Sequence, residues 1–430
     1  MSSFVLKDVQ LANGEVTSIK VVAGIIEAIG QALDADSILD CSGLVALPGF
    51  VDLHTHLREP GFEASETVLS GSRSAALGGF TALHAMANTN PVADTAGVVE
   101  QVQALGVSAG LVDVFPIGAV TAGLEGKQLA ELGAMANSRA HVRVFSDDGK
   151  CVSDPLLMRR ALEYVKAFGG VIAQHAQDPR LTEGAQMNAG PISSELGLAG
   201  WPAVAEESII ARDVLLAEHV GSRIHICHVS TKGSVDIIRW AKARGISVTA
   251  EVTPHHLLLT DELARTYDPI YKVNPPLRAS DDVMALREAL IDGTIDVIAT
   301  DHAPHPLEAK DCEWSAAAPG MVGLEIAESV AQLVLIESGK SSWQRVAEVL
   351  SSKPASIAGD ESHGAIAIGR PANIAVIDPS AKRKISRATA SMSLNNPYAD
   401  RELPGAVVHT IYKGNFTVQN GVLQQKETNA

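Results

Sequence analysis

Eight short apolar runs, each leading into a polar loop and several then into an Ala/Leu-rich stretch with apolar residues at three- and four-residue steps, fill the middle of this 430-residue chain. The runs are Phe50 to His54, Thr81 to Met86, Leu111 to Pro116, His141 to Ser146, Gly170 to Gln174, Arg223 to Cys227, Ser247 to Glu251 and Asp296 to Thr300. The helical stretches include Glu66 to Leu77, Pro155 to Phe168, Val204 to Glu218, Gly233 to Arg244 and Asp281 to Ile291. This alternation predicts an α/β fold, a TIM-like (β/α)8 barrel, with a doubly wound open sheet as the alternative. In such a barrel the C-terminal ends of the strands gather on one face. The residues that end each run are therefore the ones that can meet.

The two ends of the chain read differently. Phe4 to Leu6, Val16 to Val22 and Ile25 to Ile29, then Asn373 to Asp378 and Val407 to Gly414, are strand-and-turn sequence without helical period. They predict one small β-sandwich domain made from 1–48 plus 365–430, around a barrel at 49–364. Gln424 to Ala430 are polar and expected to fray. With 46% hydrophobic and 20% charged residues the chain can bury a large core. A formal charge of -16 argues against nucleic acid or an anionic membrane as partner, and means that any anionic substrate must be drawn in by local positive groups. No apolar run nears the ~20 residues that span a bilayer, and Met1 to Gln10 lacks the layout of a signal peptide, so the expected location is cytoplasmic. Cys41, Cys151, Cys227 and Cys312 show no C-x-x-C spacing, which suggests neither a disulfide framework nor a thiolate zinc site.

Chemistry concentrates at the run ends. The first ends in His54-Thr55-His56-Leu57-Arg58, and side chains two apart on a strand share a face, so both imidazoles can reach one metal ion. Asp148 follows the fourth run, His175 the fifth, His228 the sixth and Asp301 the eighth. Nitrogen and oxygen donors of this kind suit Zn²⁺ and are enough for two ions. Strict alternation groups Val142, Val144, Ser146 and Asp148 on one face, which favours Asp148 over Asp147 as the inward carboxylate. It also sets Ile224, Ile226 and His228 against Arg223 and His225, and aligns Val297, Ala299 and Asp301. His84 reads as a core histidine, His255 and His256 as supporting or capping groups, and Lys150 as solvated.

At these residues the sequence resembles a known family. His54-Thr55-His56-Leu57-Arg58-Glu59-Pro60-Gly61, Phe145-Ser146-Asp147-Asp148-Gly149, Lys272-Val273-Asn274-Pro275-Pro276-Leu277-Arg278 and Thr300-Asp301-His302-Ala303-Pro304-His305 are similar to the motifs of dihydroorotases of the amidohydrolase superfamily. The resemblance spans the whole chain. It implies that His54 and His56 bind one zinc ion, His175 and His228 a second, that Asp148 bridges them, and that Asp301 is both ligand and catalytic base. It implies substrate contacts at His56, Arg58, Asn88, Asn274 and His305, with backbone groups at Pro319 and Gly320; family members often carry an aromatic residue in place of Pro319. The implied reaction interconverts N-carbamoyl-L-aspartate and dihydroorotate in pyrimidine biosynthesis. A homodimer is implied, and aspartate transcarbamoylase is allowed as a partner. The alternatives are a hydantoinase or allantoinase, which has no use for a carboxylate-binding Arg58, and a catalytically dead structural homologue, which would be expected to have lost ligands. Pro306 to Pro319 has no clear period and follows the eighth run, as an active-site lid would.

Overall fold

The structure, a computed structural model, describes residues 3–424; of the tail expected to fray, Gln424 is instead held by its N–H on Thr417 O at 2.9 Å, and 425–430 lie outside the described residues. All eight apolar runs form strands, numbered here β1 (Phe50–Thr55), β2 (Phe80–Ala85), β3 (Asp113–Pro116), β4 (Val144–Phe145), β5 (Val171–Gln174), β6 (Ile224–Ile226), β7 (Val248–Val252) and β8 (Val297–Ile298). Each pairs in parallel with the next, β1 to β3 in one ladder and β4 to β8 in the other. Parallel bridges join the ladders at both seams, Gly118 to Phe145 and Thr55 to His302, so the strands follow one another round in chain order. That is the barrel arrangement rather than the open sheet.

Local sequence explains where the outer helices start and stop. Thr67 caps Val68–Leu77 by accepting from the Ser70 N–H, and Asp154 caps Pro155–Lys166, whose first residue is the proline that needs no donor. Thr231 does the same for Lys232–Ala243. Val204–Val220 and Ser280–Asp292 end at Gly221 and Gly293, both in the left-handed conformation that glycine adopts freely.

Two apolar layers define inside and outside. One cluster draws Leu53, Met86, Ile117, Val144, Ala173, Cys227, Val297 and Ala299 from seven different strands or strand ends, which only the barrel lumen can bring together. The larger cluster packs the other strand face, including Phe145, Ile224, Ile226, Val248 and Ala250, against helix residues such as Leu162, Ile210 and Ile238. Alternation therefore holds for β4 and β8, where Val144, Val297 and Ala299 face the lumen. It fails for β6: Ile224 and Ile226 face the helices, and the lumen face carries His225 and Cys227. His228 turns inward only because its backbone adopts φ 31°, a left-handed conformation that breaks the strand period. In β1 the pairing register shifts between Asp52 and Thr55, which turns His54 inward although Leu53 already faces the lumen.

The chain ends meet in a nine-stranded sheet. Val45–Pro48 pairs antiparallel with Ile374–Lys384 and so splices the N-terminal strands to the C-terminal ones. The sheet folds over on itself: the Phe4 and Phe416 ring centroids lie 5.0 Å apart although three strands stand between theirs in the sheet order, and a core of Leu6, Val9, Ile19, Ile374 and Ile411 lies between the layers. Among the described residues no helix is long and apolar enough to cross a membrane.

Candidate metal centre

The ends of β1, β4, β5, β6 and β8 deliver the six expected ligands to one buried point. His54, His56, Asp148 and Asp301 form one group, and Asp148, His175 and His228 a second. Asp148 belongs to both, one oxygen to each. Its Oδ2 lies 3.3 Å from His54 Nε2 and 3.2 Å from His56 Nε2, while its Oδ1 lies 3.1 Å from His175 Nδ1 and 3.2 Å from His228 Nε2. Asp301 Oδ1 is 3.4 Å from His54 Nε2 and 3.2 Å from His56 Nε2. Asp301, like His228, has a left-handed backbone, with φ 44°, strain of the kind that persists where surrounding structure enforces it.

The outer hydrogen bonds decide which ring nitrogens are bare. His54 Nδ1 donates to Glu251 Oε1 at 2.6 Å, His56 Nδ1 to Asn88 Oδ1 at 2.9 Å and His175 Nε2 to Gln177 Oε1 at 2.7 Å. Each imidazole then turns its other nitrogen toward a carboxylate oxygen, and His54 Nε2 is buried with no hydrogen-bond partner. Lone pairs facing carboxylates repel unless a cation lies between them, so the donor set fits a metal. The same field acts on protons. Burial alone would lower the pKa of His54, but Asp148, Glu251 and Asp301 outweigh it and push it well up. Burial likewise opposes ionisation of Asp148 and Asp301, yet the surrounding imidazoles hold both below the usual carboxylate range.

The groups expected to touch substrate line the same face. Arg58 Nε donates to Pro304 O at 3.2 Å, and its Nη2 lies 3.4 Å from His305 Nε2. Burial lowers the guanidinium only to about 10, so it stays charged. His305 is neutral, held at about 3 by burial with Arg58 and Lys310 adding to the effect, and its Nε2 donates to Pro319 O at 2.9 Å. Gly320 is packed so closely that a Cβ there would stand 2.8 Å from both the His305 ring and Ala303 O. Asn274 Nδ2 donates to Gln177 Oε1 at 3.3 Å, which leaves its buried Oδ1 without a partner.

Other residues lie elsewhere. Asp147 points away and accepts from the Val120 and Thr121 N–H groups. His84 accepts burial in the core with Nδ1 3.1 Å from Asp52 O, and Lys150 is exposed. His256 Nδ1 bonds the capping Thr253, and both ring nitrogens of the buried His255 lack partners. The 306–319 segment contains the short helix Leu307–Lys310 and is tied down by Lys310, whose Nζ donates to Pro269 O, Lys272 O and Ala318 O, and by Trp314 Nε1 on Gln186 O. Sequence reasoning missed Glu251, which besides His54 accepts from His225 Nε2 at 2.9 Å and from the His228 N–H at 3.2 Å. The single acid inside β7, on the same face as Thr249 in a strand whose other residues are apolar, was the available signal.

Comparison with known proteins agrees with this geometry. The fold superimposes on L-hydantoinase from Arthrobacter aurescens with TM-score 0.88 at 24% identity, covering 99% of this chain and 98% of that one, and on a D-hydantoinase with TM-score 0.85 at 19% identity. These likenesses define the class of fold, an α/β barrel of the TIM type with an attached β-sandwich. Residues 43–234 match the family model described as dihydro-orotase-like. The chain is 65% identical to a dihydroorotase of Leifsonia xyli over 98% of this chain and 97% of the relative, and 62% identical to one of Streptomyces coelicolor over 98% and 100%. A Mycobacterium tuberculosis dihydroorotase is 52% identical over 96% of this chain. The chain belongs to the dihydroorotase family.

Proposed function

We propose that the chain is a cytoplasmic, zinc-dependent dihydroorotase that interconverts N-carbamoyl-L-aspartate and (S)-dihydroorotate in pyrimidine biosynthesis. The observation that carries the two-ion form of this reading is Asp148, whose two oxygens each face a different pair of imidazoles. On this reading His54, His56 and Asp301 would hold one ion, His175 and His228 the other, and Asp148 would contribute to both. Bound zinc would lower the pKa of water toward ~7 and polarise the carbonyl under attack.

The chain's own residues do the rest. Asp301 turns Oδ1 to the imidazoles, which leaves Oδ2 to take the proton from the attacking water and pass it to the departing ring nitrogen. In the cyclising direction the same oxygen removes the proton from the carbamoyl nitrogen. Arg58 offers a charged fork to the substrate carboxylate, and Asn274 Oδ1 a free acceptor to a ring N–H. Asn88 orients His56, and its amide nitrogen remains for the substrate. His305, Pro319 and Gly320 close the far side. A hydantoin carries no carboxylate, so Arg58 supports dihydroorotate over that alternative.

The same reading divides the chain into the barrel at 49–364 and a β-sandwich from 1–48 plus 365–430, assembled as a homodimer. Gel filtration with and without aspartate transcarbamoylase tests the assembly. Metal analysis alongside ultraviolet monitoring of dihydroorotate hydrolysis, with hydantoin and allantoin as controls, tests the activity. Turnover of dihydroorotate alone, dependent on bound zinc, is the expected result. Metal-loaded protein that opens hydantoin but not dihydroorotate would overturn the substrate, and protein that binds no metal would overturn the site.

A further inference from the structure

The connection between Ile374–Lys384 and Glu402–Tyr412 leaves the terminal sheet and crosses to the mouth of the barrel. Asn395, in that connection, is only 3% exposed. Its Nδ2 donates to Ala303 O at 2.9 Å and to Gly320 O at 3.1 Å, and its Oδ1 accepts from the His305 N–H at 3.2 Å. Its main-chain oxygen accepts from the Val322 N–H at 3.1 Å. One side chain thus uses both amide hydrogens and its carbonyl on the two loops that carry His305 and Gly320. Aspartate would set a negative oxygen against two carbonyl oxygens, and alanine would make none of these bonds.

The neighbours of Asn395 anchor it. Ser393 Oγ donates to Ser65 O at 2.7 Å, the Met392 N–H donates to Glu66 Oε1 at 3.2 Å, and Ser391 Oγ donates to Glu66 Oε2, which lies 3.3 Å from His302 Nε2. A cleft of about 240 Å³ lined by His305, Lys310, Arg387 and Asn395 lies beside these contacts, so His305 has room to swing if its tether goes. We propose that Asn395 is a positioning residue: through a strap formed by 391–395, the terminal sheet fixes His305 and the Pro319-Gly320 backbone in the geometry that receives the substrate. Asn395 touches neither the metal ligands nor the reacting atoms, so it acts on binding. This rests on the reading of His305 and Gly320 as substrate contacts.

The test compares Asn395→Asp with the zinc-loaded wild type, and Asn395→Ala serves if the aspartate folds poorly. KM for dihydroorotate should rise about tenfold, the effect of losing one well-placed hydrogen bond, with kcat within about twofold and metal content unchanged. In a His305→Ala background the same substitution should add much less to KM. Amide hydrogen exchange, which needs no substrate, should quicken in peptides covering 302–306 and 318–322 and not elsewhere in the barrel. Quickened exchange with wild-type KM would overturn the positioning role, as would loss of kcat and metal together. A wild type that does not turn over dihydroorotate would instead overturn the proposed activity, while exchange still judges the strap: unchanged exchange in both loops would overturn it.

Discussion

Glu251→Gln separates the orientation of a ligand from the ligand itself. Glu251 is buried against three donors: His54 Nδ1 at 2.6 Å, His225 Nε2 at 2.9 Å and the His228 N–H at 3.2 Å. Burial alone would raise its pKa, but His54 and His225 hold it at about 2, so it is a carboxylate at neutral pH. Glutamine keeps the shape and loses the charge. If its carbonyl stays on His54 and the His228 N–H, its amide nitrogen faces His225. His225 can switch tautomer at no great cost, because Thr249 Oγ1, 2.9 Å from its Nδ1, both donates and accepts. His54 then keeps its bare Nε2, but a charge-assisted bond becomes a neutral one, a loss of about 1 to 2 kcal/mol. Converted to affinity that is roughly 5- to 30-fold, overlapping the range for groups that brace metal-bound histidines. The assay is competition of the loaded protein with a chelator, followed by metal content and by residual dihydroorotate turnover. Metal should be lost at lower chelator concentration, while fully reloaded variant retains kcat within about threefold. A chelation midpoint equal to wild type would refute the argument, and so would a reloaded variant without activity.

Three further outcomes are expected. Arg58→Ala should raise KM for dihydroorotate by roughly 10- to 100-fold with a smaller change in kcat, whereas Asp301→Ala should abolish turnover with metal at least partly retained; equal loss of kcat in both would contradict the roles. Burial lowers the His84 imidazole to about 4, so it stays neutral in the folded state while the unfolded chain takes up a proton below its ordinary value of 6.5. That depressed value makes stability fall as pH drops from 6.5 toward 4, by about 2 kcal/mol at pH 5 from His84 alone, and denaturant titrations at pH 7 and pH 5 should show the difference shrink in His84→Gln. Glu206 accepts from the Ser230 and Thr231 N–H groups and from Ser234 Oγ beside the buried Arg278, so Glu206→Ala should cost about 3 to 5 kcal/mol of stability, read as a lowered Tm.

Much of the fold was legible because it rests on period and spacing. The eight runs gave eight strands, and Thr67, Asp154 and Thr231 marked helix starts by local bonding alone. The candidate ligands were legible as donors at strand ends, but the face each would take was not. For Asp148 and Asp301 alternation agreed with the structure. For His228 it named the inward residue for the wrong reason, since Ile224 and Ile226 face outward and a left-handed backbone at the strand end reverses the side chain. Such turns are set by packing between distant segments, which no local pattern records. Glu251 escaped for a related reason: its partners His54 and His225 come from two other strands, and only closure of the barrel brings them together. Asn395 lay further still from view, in a segment whose own sequence reads as an ordinary loop.

Splicing the first strands to the last has a consequence for synthesis. Val45–Pro48 leaves the ribosome more than 300 residues before its partner Ile374–Lys384, a delay of roughly 15 to 65 seconds at ordinary elongation rates. Asp301, the last of the six clustered donors, emerges well before Asn395. A nascent chain therefore holds all six proposed metal ligands while the proposed strap over His305 is still unmade. On the proposed roles, metal capture can come first, and the grip on substrate is completed only when the final strands are delivered.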